Sequence, residues 1–362
     1  LLDDPARLAD ADTSGLLRAA AMSGAQVRSA AESARELELP ARLDVGRPRA
    51  VVLVGRQGIG RSATRLISTM LAPGCPVPVV LSDAVPSWVG ALDVVYAYTS
   101  DPGDEELAAS LERAARYGSS LVLTAPPDGP VAASVAGKGM VVTPQVSGAA
   151  PESFAAAVVA GLLTVSALNL LEVDVDTLAD QLDAEAERDH LGHESFVNPA
   201  KALALRLAER TPLLWGLDPV ASVVAEHAAH TLAADAGVVA DASEYRHAVT
   251  RGALHRAAVQ ESSGGDIFAD PDDPDAAGGA SRLRLLLLAV RADREAGVVR
   301  RSALDMFAEA EVLDVADELG TPHAKEPVLA SVLALRFELA ALYLGLAAGT
   351  IGGTNRYSPL QA

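Results

Sequence analysis

Short apolar runs alternate with segments of helical period through the first half of the chain. The runs occupy residues 51–55, 76–83, 92–100, 119–127 and 139–144, and helix-like segments lie near 61–71 and 104–117. Short apolar runs bounded by turn residues are typical of strands in a parallel sheet that is covered on both faces. The pattern therefore predicts a five-stranded parallel sheet over residues 51–142, preceded by a helix over 14–37.

The second half repeats this organisation after a long predicted helix at 151–171. Further strands are predicted at 211–217, 237–242 and 282–290, with a helix from about 219, a loop over 262–281 and a final helix at 326–348. Residues 172–200 are rich in Asp, Glu and His, which favours a solvent-facing connection. The predicted domains are therefore 1–171, a connection at 172–200, and 201–362.

Composition narrows the class of protein. Half of the 362 residues are hydrophobic but only 4% are aromatic, which favours helices packed on a sheet over an all-β core. The net charge of −19 argues against nucleic acid or an anionic membrane as the main partner. Arg336 and Glu338 within the apolar final helix favour a buried helix over a membrane span. The single cysteine, Cys75, and an acidic N-terminus without a basic, apolar leader predict a cytoplasmic protein.

The glycine-rich turn after the first run carries the first candidate chemistry. Gly55, Gly58 and Gly60 allow a sharp turn and a close backbone approach, and Ser62 follows near a helix start that attracts anions. This arrangement suits a phosphate. A dinucleotide is the alternative, since Asp83 lies where a ribose-binding acid would be expected. No hydride-transfer constellation accompanies it, so we expect no cofactor.

Two histidine clusters resemble partial metal sites. Their members are Glu226, His227 and His230 in one cluster, and His190, His193 and Glu194 in the other. Neither has the further ligand that a recognised spacing would supply, so the sequence predicts surface histidines and no metal site.

Several segments, in order along the chain, resemble one known family. GIGRSA at 58–63, SDAVPSWVGALDVVYAYTSDPGDEEL at 82–107, FVNPAKALALRLAERTPLLWG at 196–216, and DIFADPDDP followed by RLRLLLL are similar to segments of sugar isomerase (SIS) domain proteins. The likeness is greatest to bifunctional phosphoglucose/phosphomannose isomerases. It implies an α/β fold of two SIS-type domains, each a parallel sheet flanked by helices. It also implies sugar-phosphate binding, aldose–ketose isomerisation and a homodimer.

The resemblance also indicates site residues. It implies that the catalytic histidine is His247, with Glu226 the nearby candidate base, and that the sugar phosphate contacts five residues: Gly58, Gly60, Ser62, Thr99 and Ser100.

Departures from the family pattern predict weakened chemistry. Asp101 and Asp104 stand where the family has phosphate-binding hydroxyls, and a carboxylate repels phosphate. Thr231 stands near the position of the catalytic glutamate, and Glu152 near that of the enediolate-binding arginine. We therefore expect phosphosugar isomerase activity to be low or absent, with a non-catalytic sugar-phosphate sensor or a protein-interaction partner as the alternative.

Overall fold

The computed structural model describes residues 2–148, 153–262, 283–308, 310–320 and 324–352. The chain divides into two compact units. One is Arg18–Ala186, called the first unit, and the other joins Leu1–Leu17 to Glu187–Ala362 and is called the second unit. Glu152 and positions 263–281 of the predicted loop lie outside the described residues. The predicted domain limits at 171 and 200 stay predictions.

In the described chain up to residue 188, four helices precede the first strand, and helices lie between most of the strands that follow. The strands are β1 (Ala50–Gly55), β2 (Val79–Ser82), β3 (Asp93–Tyr98), β4 (Ser120–Thr124) and β5 (Met140–Val141). The helices are α1 (Pro5–Ala11), α2 (Leu16–Ala21), α3 (Ser23–Glu36), α4 (Leu39–Arg42), α5 (Ile59–Leu71), α6 (Glu105–Arg116), α7 (Pro130–Ser134), α8 (Phe154–Ala167) and α9 (Val175–Arg188).

The first sheet has the order β2-β1-β3-β4-β5 with every pair parallel, which confirms the predicted sheet. Side chains alternate between its faces. Val52 and Val95 point into a cluster with Leu107 of α6 and Val131 of α7. On the opposite face Tyr96 donates a hydrogen bond to a carbonyl oxygen of α8. Helices therefore cover both faces.

The second unit continues the alternation. Its strands are β6 (Thr211–Gly216), β7 (Asp241–Glu244), β8 (Leu283–Leu288) and β9 (Glu311–Leu313). Its further helices are α10 (Pro199–Leu207), α11 (Pro219–Ala236), α12 (Tyr245–Ala248), α13 (Gly252–Ser262), α14 (Arg294–Met306) and α15 (Glu326–Ala348).

The second sheet is also parallel, in the order β7-β6-β8-β9. Trp215 points to the face covered by α12, α13 and α14, where it packs edge-on against Phe307 at 5.9 Å between ring centroids. The next residue, Gly216, faces α11, since a Cβ placed there would lie 2.3 Å from the Ser222 amide nitrogen. Helices α10 and α11 both pack against α15. The predicted architecture of two parallel-sheet α/β units is confirmed.

Helix α15 is long and apolar enough to cross a membrane by length and composition, and 89% of its most apolar window is buried inside the protein. It begins and ends where the sequence predicts. Arg336 lies within this buried helix and forms a two-point ion pair with Glu318 at 3.0 and 2.6 Å. The charged side chain is therefore neutralised by a partner from the preceding loop.

Three differences from the sequence predictions concern α9, β7 and β9. The segment 172–200 contains α9, whose residues Leu178 and Leu182 are buried, so part of this predicted connection is a packed helix. Gly237 adopts a left-handed conformation as the C-cap of α11, so the strand predicted at 237–242 starts only at Asp241. The short strand β9 was not predicted.

Candidate functional site

The glycine turn between β1 and α5 is built for close packing. A Cβ on Gly55 would lie 2.2 Å from the Gly60 carbonyl oxygen, and one on Gly60 would lie 3.0 Å from the ring of Tyr98. Gly58 has φ +84° and ψ −136°, a conformation that only glycine adopts without strain. The amide of Ser62 donates to the Gly58 carbonyl oxygen at 3.2 Å. The turn thus holds the start of α5 directly against the end of β1.

In the loop after β3, hydrogen bonds within the loop engage the hydroxyl of Thr99, a candidate phosphate contact, and the carboxylate of Asp101. Thr99 is buried, and its hydroxyl accepts a hydrogen bond from the Asp101 amide at 3.1 Å. Asp101 in turn accepts one from the Gly103 amide at 2.8 Å. Ser100 lies between them and is half-buried. These local bonds fix the loop as two successive turns that lead into α6.

An ion pair links the two loops at the carboxyl ends of β1 and β3. Arg56, in the glycine turn, donates to Asp104 through Nη2 at 2.6 Å and also through Nε, and it reaches Glu106 at 2.8 Å. Asp104 is the N-cap of α6 and accepts the Leu107 amide at 2.9 Å. We call Arg56 and Asp104 the crevice ion pair.

The crevice ion pair occupies the position that a parallel sheet usually offers to ligands. Strand order reverses between β1 and β3, and ligands of such sheets bind outside the carboxyl ends of the strands at that point. The bond to Arg56 lowers the pKa of Asp104, and the bond to Asp104 raises the pKa of Arg56. A protein carboxylate therefore already satisfies the helix terminus and the arginine that a phosphate would use.

The second unit shows the same arrangement at its own reversal point, between β6 and β8. Asp218 is buried and caps α11 by accepting the Ala221 amide at 2.9 Å. Its other oxygen accepts the amides of Val290 at 2.8 Å and Arg291 at 3.0 Å, just beyond β8. In both units an aspartate takes the place of an external anion. Asp218 was not predicted as a site residue, although the Asp-Pro pair at the start of α11 is the signal of an N-cap.

The two candidate catalytic residues lie on helices that cover opposite faces of the second sheet. His247 is exposed on α12, which packs on the face of Trp215. Glu226 lies in the middle of α11, on the face of Gly216, about 10 Å along the helix from the carboxyl edge of the sheet at 1.5 Å per residue. Thr231 is buried and donates its hydroxyl hydrogen bond to the Ala228 carbonyl oxygen at 3.0 Å.

His227 corrects the prediction of surface histidines. It is fully buried, and its Nε2 lies 2.8 Å from Glu338 on α15. His230 is exposed, as predicted. Among the described residues, no group of three or more His, Cys, Asp or Glu side chains is placed to hold a metal ion.

One family model matches the sequence of the second unit. Residues 196–350 match the family model of the bacterial phospho-glucose isomerase C-terminal SIS domain. No curated protein matches the sequence. The second unit therefore carries a SIS domain, and the resemblance predicted from the sequence is confirmed.

Solved structures extend the likeness to the whole fold. Tagatose-6-phosphate ketose/aldose isomerase from Escherichia coli is 11% identical, with a TM-score of 0.60 over 94% of this chain and 95% of the other. The C-terminal domain of glucosamine-fructose-6-phosphate aminotransferase from Francisella tularensis is 10% identical, with a TM-score of 0.57 over 92% and 94%. A hypothetical protein from Thermus thermophilus is 15% identical, with a TM-score of 0.59 over 96% and 89%. The two units together therefore share the fold of these structures.

Proposed function

We propose that this SIS-domain protein binds a phosphorylated sugar at the first unit and isomerises it slowly or not at all. The binding site would be the crevice between Gly58–Ser62 and Thr99–Ser100. Three observations support this place: the fold, the strand reversal, and an arginine within reach of the crevice. Arg56 supplies the positive charge, which a phosphate takes over from Asp104 when it binds.

The observation that carries the proposal of low activity is the separation of Glu226 and His247. Aldose–ketose isomerisation requires a carboxylate that removes a carbon-bound proton and a nearby group that opens the ring. Within one chain these candidates cover opposite faces of a sheet. General bases contribute about 10²- to 10⁴-fold and an oxyanion partner about 10²- to 10³-fold to the rate. A chain that lacks this arrangement is therefore expected to bind substrate without fast turnover.

The test measures binding and turnover on the same preparation. Calorimetry with fructose 6-phosphate should give a saturable heat, whereas incubation with the same sugar should yield glucose 6-phosphate and mannose 6-phosphate far more slowly than 1 s⁻¹. Turnover of about 1 s⁻¹ or faster, an ordinary enzyme rate, would refute the proposal of low activity. Glu226→Gln would then show whether that residue is the base. An absence of binding would refute the function itself.

A non-catalytic sugar-phosphate sensor or a protein-interaction partner stays the alternative function. The homodimer and the cytoplasmic location stay predictions, and sedimentation of the purified protein tests the first of them. A sensor should bind the sugar phosphate and sediment differently when it is bound.

A further inference from the structure

A group of arginines in the second unit lies outside the crevices of both sheets. Arg206 lies on the last turn of α10, Arg284 near the start of β8 and Arg336 in the middle of α15. The carboxylates that face them are Glu311, at the start of β9, and Glu318, in the loop that follows it. We call these five residues the arginine cluster. It is a local concentration of positive charge on a chain of net charge −19.

Two of these arginines share one carboxylate. Arg284 Nη2 donates to Glu311 Oε2 at 3.1 Å, and Arg206 forms an ion pair with Glu311 Oε1. Glu318 is engaged by Arg336 through both of its oxygens. Since Glu311 carries one negative charge, the pair of Arg206 and Arg284 has one positive charge in excess.

The environment makes this excess costly without a further anion. Burial lowers the pKa of Arg206, and the charges of Arg284 and Arg336 lower it further. The side chains of Arg206 and Arg284 nevertheless keep 31% and 41% of their surface exposed, so a small solute can reach them.

We propose that Arg206 and Arg284 bind an oxyanion, either free inorganic phosphate or the phosphoryl group of a larger molecule. Two planar guanidinium groups beside one carboxylate offer forked donors that match the oxygens of a phosphate. The bound anion would neutralise the excess charge at the exposed part of the two side chains. This site is separate from the crevice of the first unit and does not depend on the proposed function.

Thermal unfolding in the presence of phosphate tests the site. The assay uses an Arg56→Gln background, which removes the arginine of the crevice. Sodium phosphate should raise the melting temperature more than sodium chloride does at equal ionic strength, since a ligand of the folded state stabilises it. A phosphate monoester such as glycerol phosphate, run in parallel, distinguishes the two sources of the anion: a larger shift with the ester assigns the site to a phosphoryl group, and a larger shift with phosphate to the free ion.

Two variants should act in opposite directions. Arg284→Gln should weaken phosphate binding about tenfold or more, because a charge-assisted hydrogen bond is lost. Glu311→Gln should strengthen binding, because it removes the competing carboxylate, and this variant keeps the test valid if Arg284→Gln folds poorly. Arg246→Gln is the matched control, since it breaks an exposed ion pair with Glu295 in the same unit. Equal effects of phosphate and chloride, or a Glu311→Gln variant that binds no more tightly, would overturn the proposal.

Discussion

Replacing Asp218 with alanine should destabilise the second unit far more than the loss of an ordinary helix cap. The carboxylate of Asp218 accepts three backbone amides, one from α11 and two from the chain just after β8. Asp293 provides the matched comparison, because it caps α14 through the Ala296 amide alone. Both changes remove an aspartate N-cap, but only the first leaves amides beyond β8 without a partner.

The magnitude follows from these bonds. Loss of an N-cap costs about 1 kcal/mol. Each amide left unsatisfied in a buried setting costs about 1–3 kcal/mol. Asp218→Ala should therefore lower the free energy of unfolding by about 3–7 kcal/mol, and Asp293→Ala by about 1 kcal/mol.

Urea unfolding of the second unit measures this difference. The chain has two tryptophans, and Trp215 is fully buried on β6 whereas Trp88 is 48% exposed in the first unit. In a Trp88→Phe background, fluorescence therefore reports the second unit alone, which matters because a chain of two units need not unfold in one step. If the two alanine variants differ by less than about 1 kcal/mol, the account of Asp218 as a tie between β6 and β8 is refuted.

Two further predictions concern the first unit. Gly55→Ala should destabilise it by about 2 kcal/mol or more, because the new Cβ meets the Gly60 carbonyl oxygen. Gly74→Ala, with open space around the Cβ, should change the free energy of unfolding by less than about 0.5 kcal/mol. Urea unfolding followed by Trp88 fluorescence in a Trp215→Phe background measures both, and similar values for the two variants would contradict this. Asp104→Asn keeps the N-cap but removes the charge bonded to Arg56, so it should tighten fructose 6-phosphate binding in calorimetry. Because Arg56 lowers the pKa of Asp104 in the folded state, its contribution to stability is present above the ordinary carboxyl pKa of 3.8 and is lost as the pH falls through the lowered value. The asparagine variant should therefore lose less stability in acid than the wild type, and identical acid-unfolding curves would argue against the ion pair.

The first sheet was predictable because its strands are short, continuous apolar runs. In the helices between them, apolar residues instead recur every three to four positions. The final helix at 326–348 was predictable for the same reason, since its apolar stretch is too long for a strand. Strand β9 was not, because its three residues, Glu311–Leu313, form no pattern of their own and pair only through β8. Helix α9 was hidden by its acidic side chains, although Leu178 and Leu182 lie four residues apart on its buried side.

The candidate site was predictable in position and less so in its electrostatics. The glycines and Thr99 indicate the two loops, but the pairing of Arg56 with Asp104 joins residues that are distant in sequence. Nothing in the sequence around Arg56, which follows β1, indicates that its side chain will reach Asp104, the N-cap of the helix that follows β3. The same limitation applies to Asp218, whose bonds to the chain after β8 depend on the order of strands in the sheet.

The position of α15 in the chain has a consequence for how the protein is made. Helices α1, α10 and α11 all pack against it, yet α15 ends at Ala348 whereas β6 begins at Thr211. A ribosome adds about 5–20 residues per second, so on the order of ten seconds pass between the synthesis of β6 and that of α15. Throughout that interval the sides of α10 and α11 that pack against α15 stay open to water. The second unit can therefore complete its hydrophobic core only after its most apolar helix has been synthesised. All strands of the first unit have been synthesised by then.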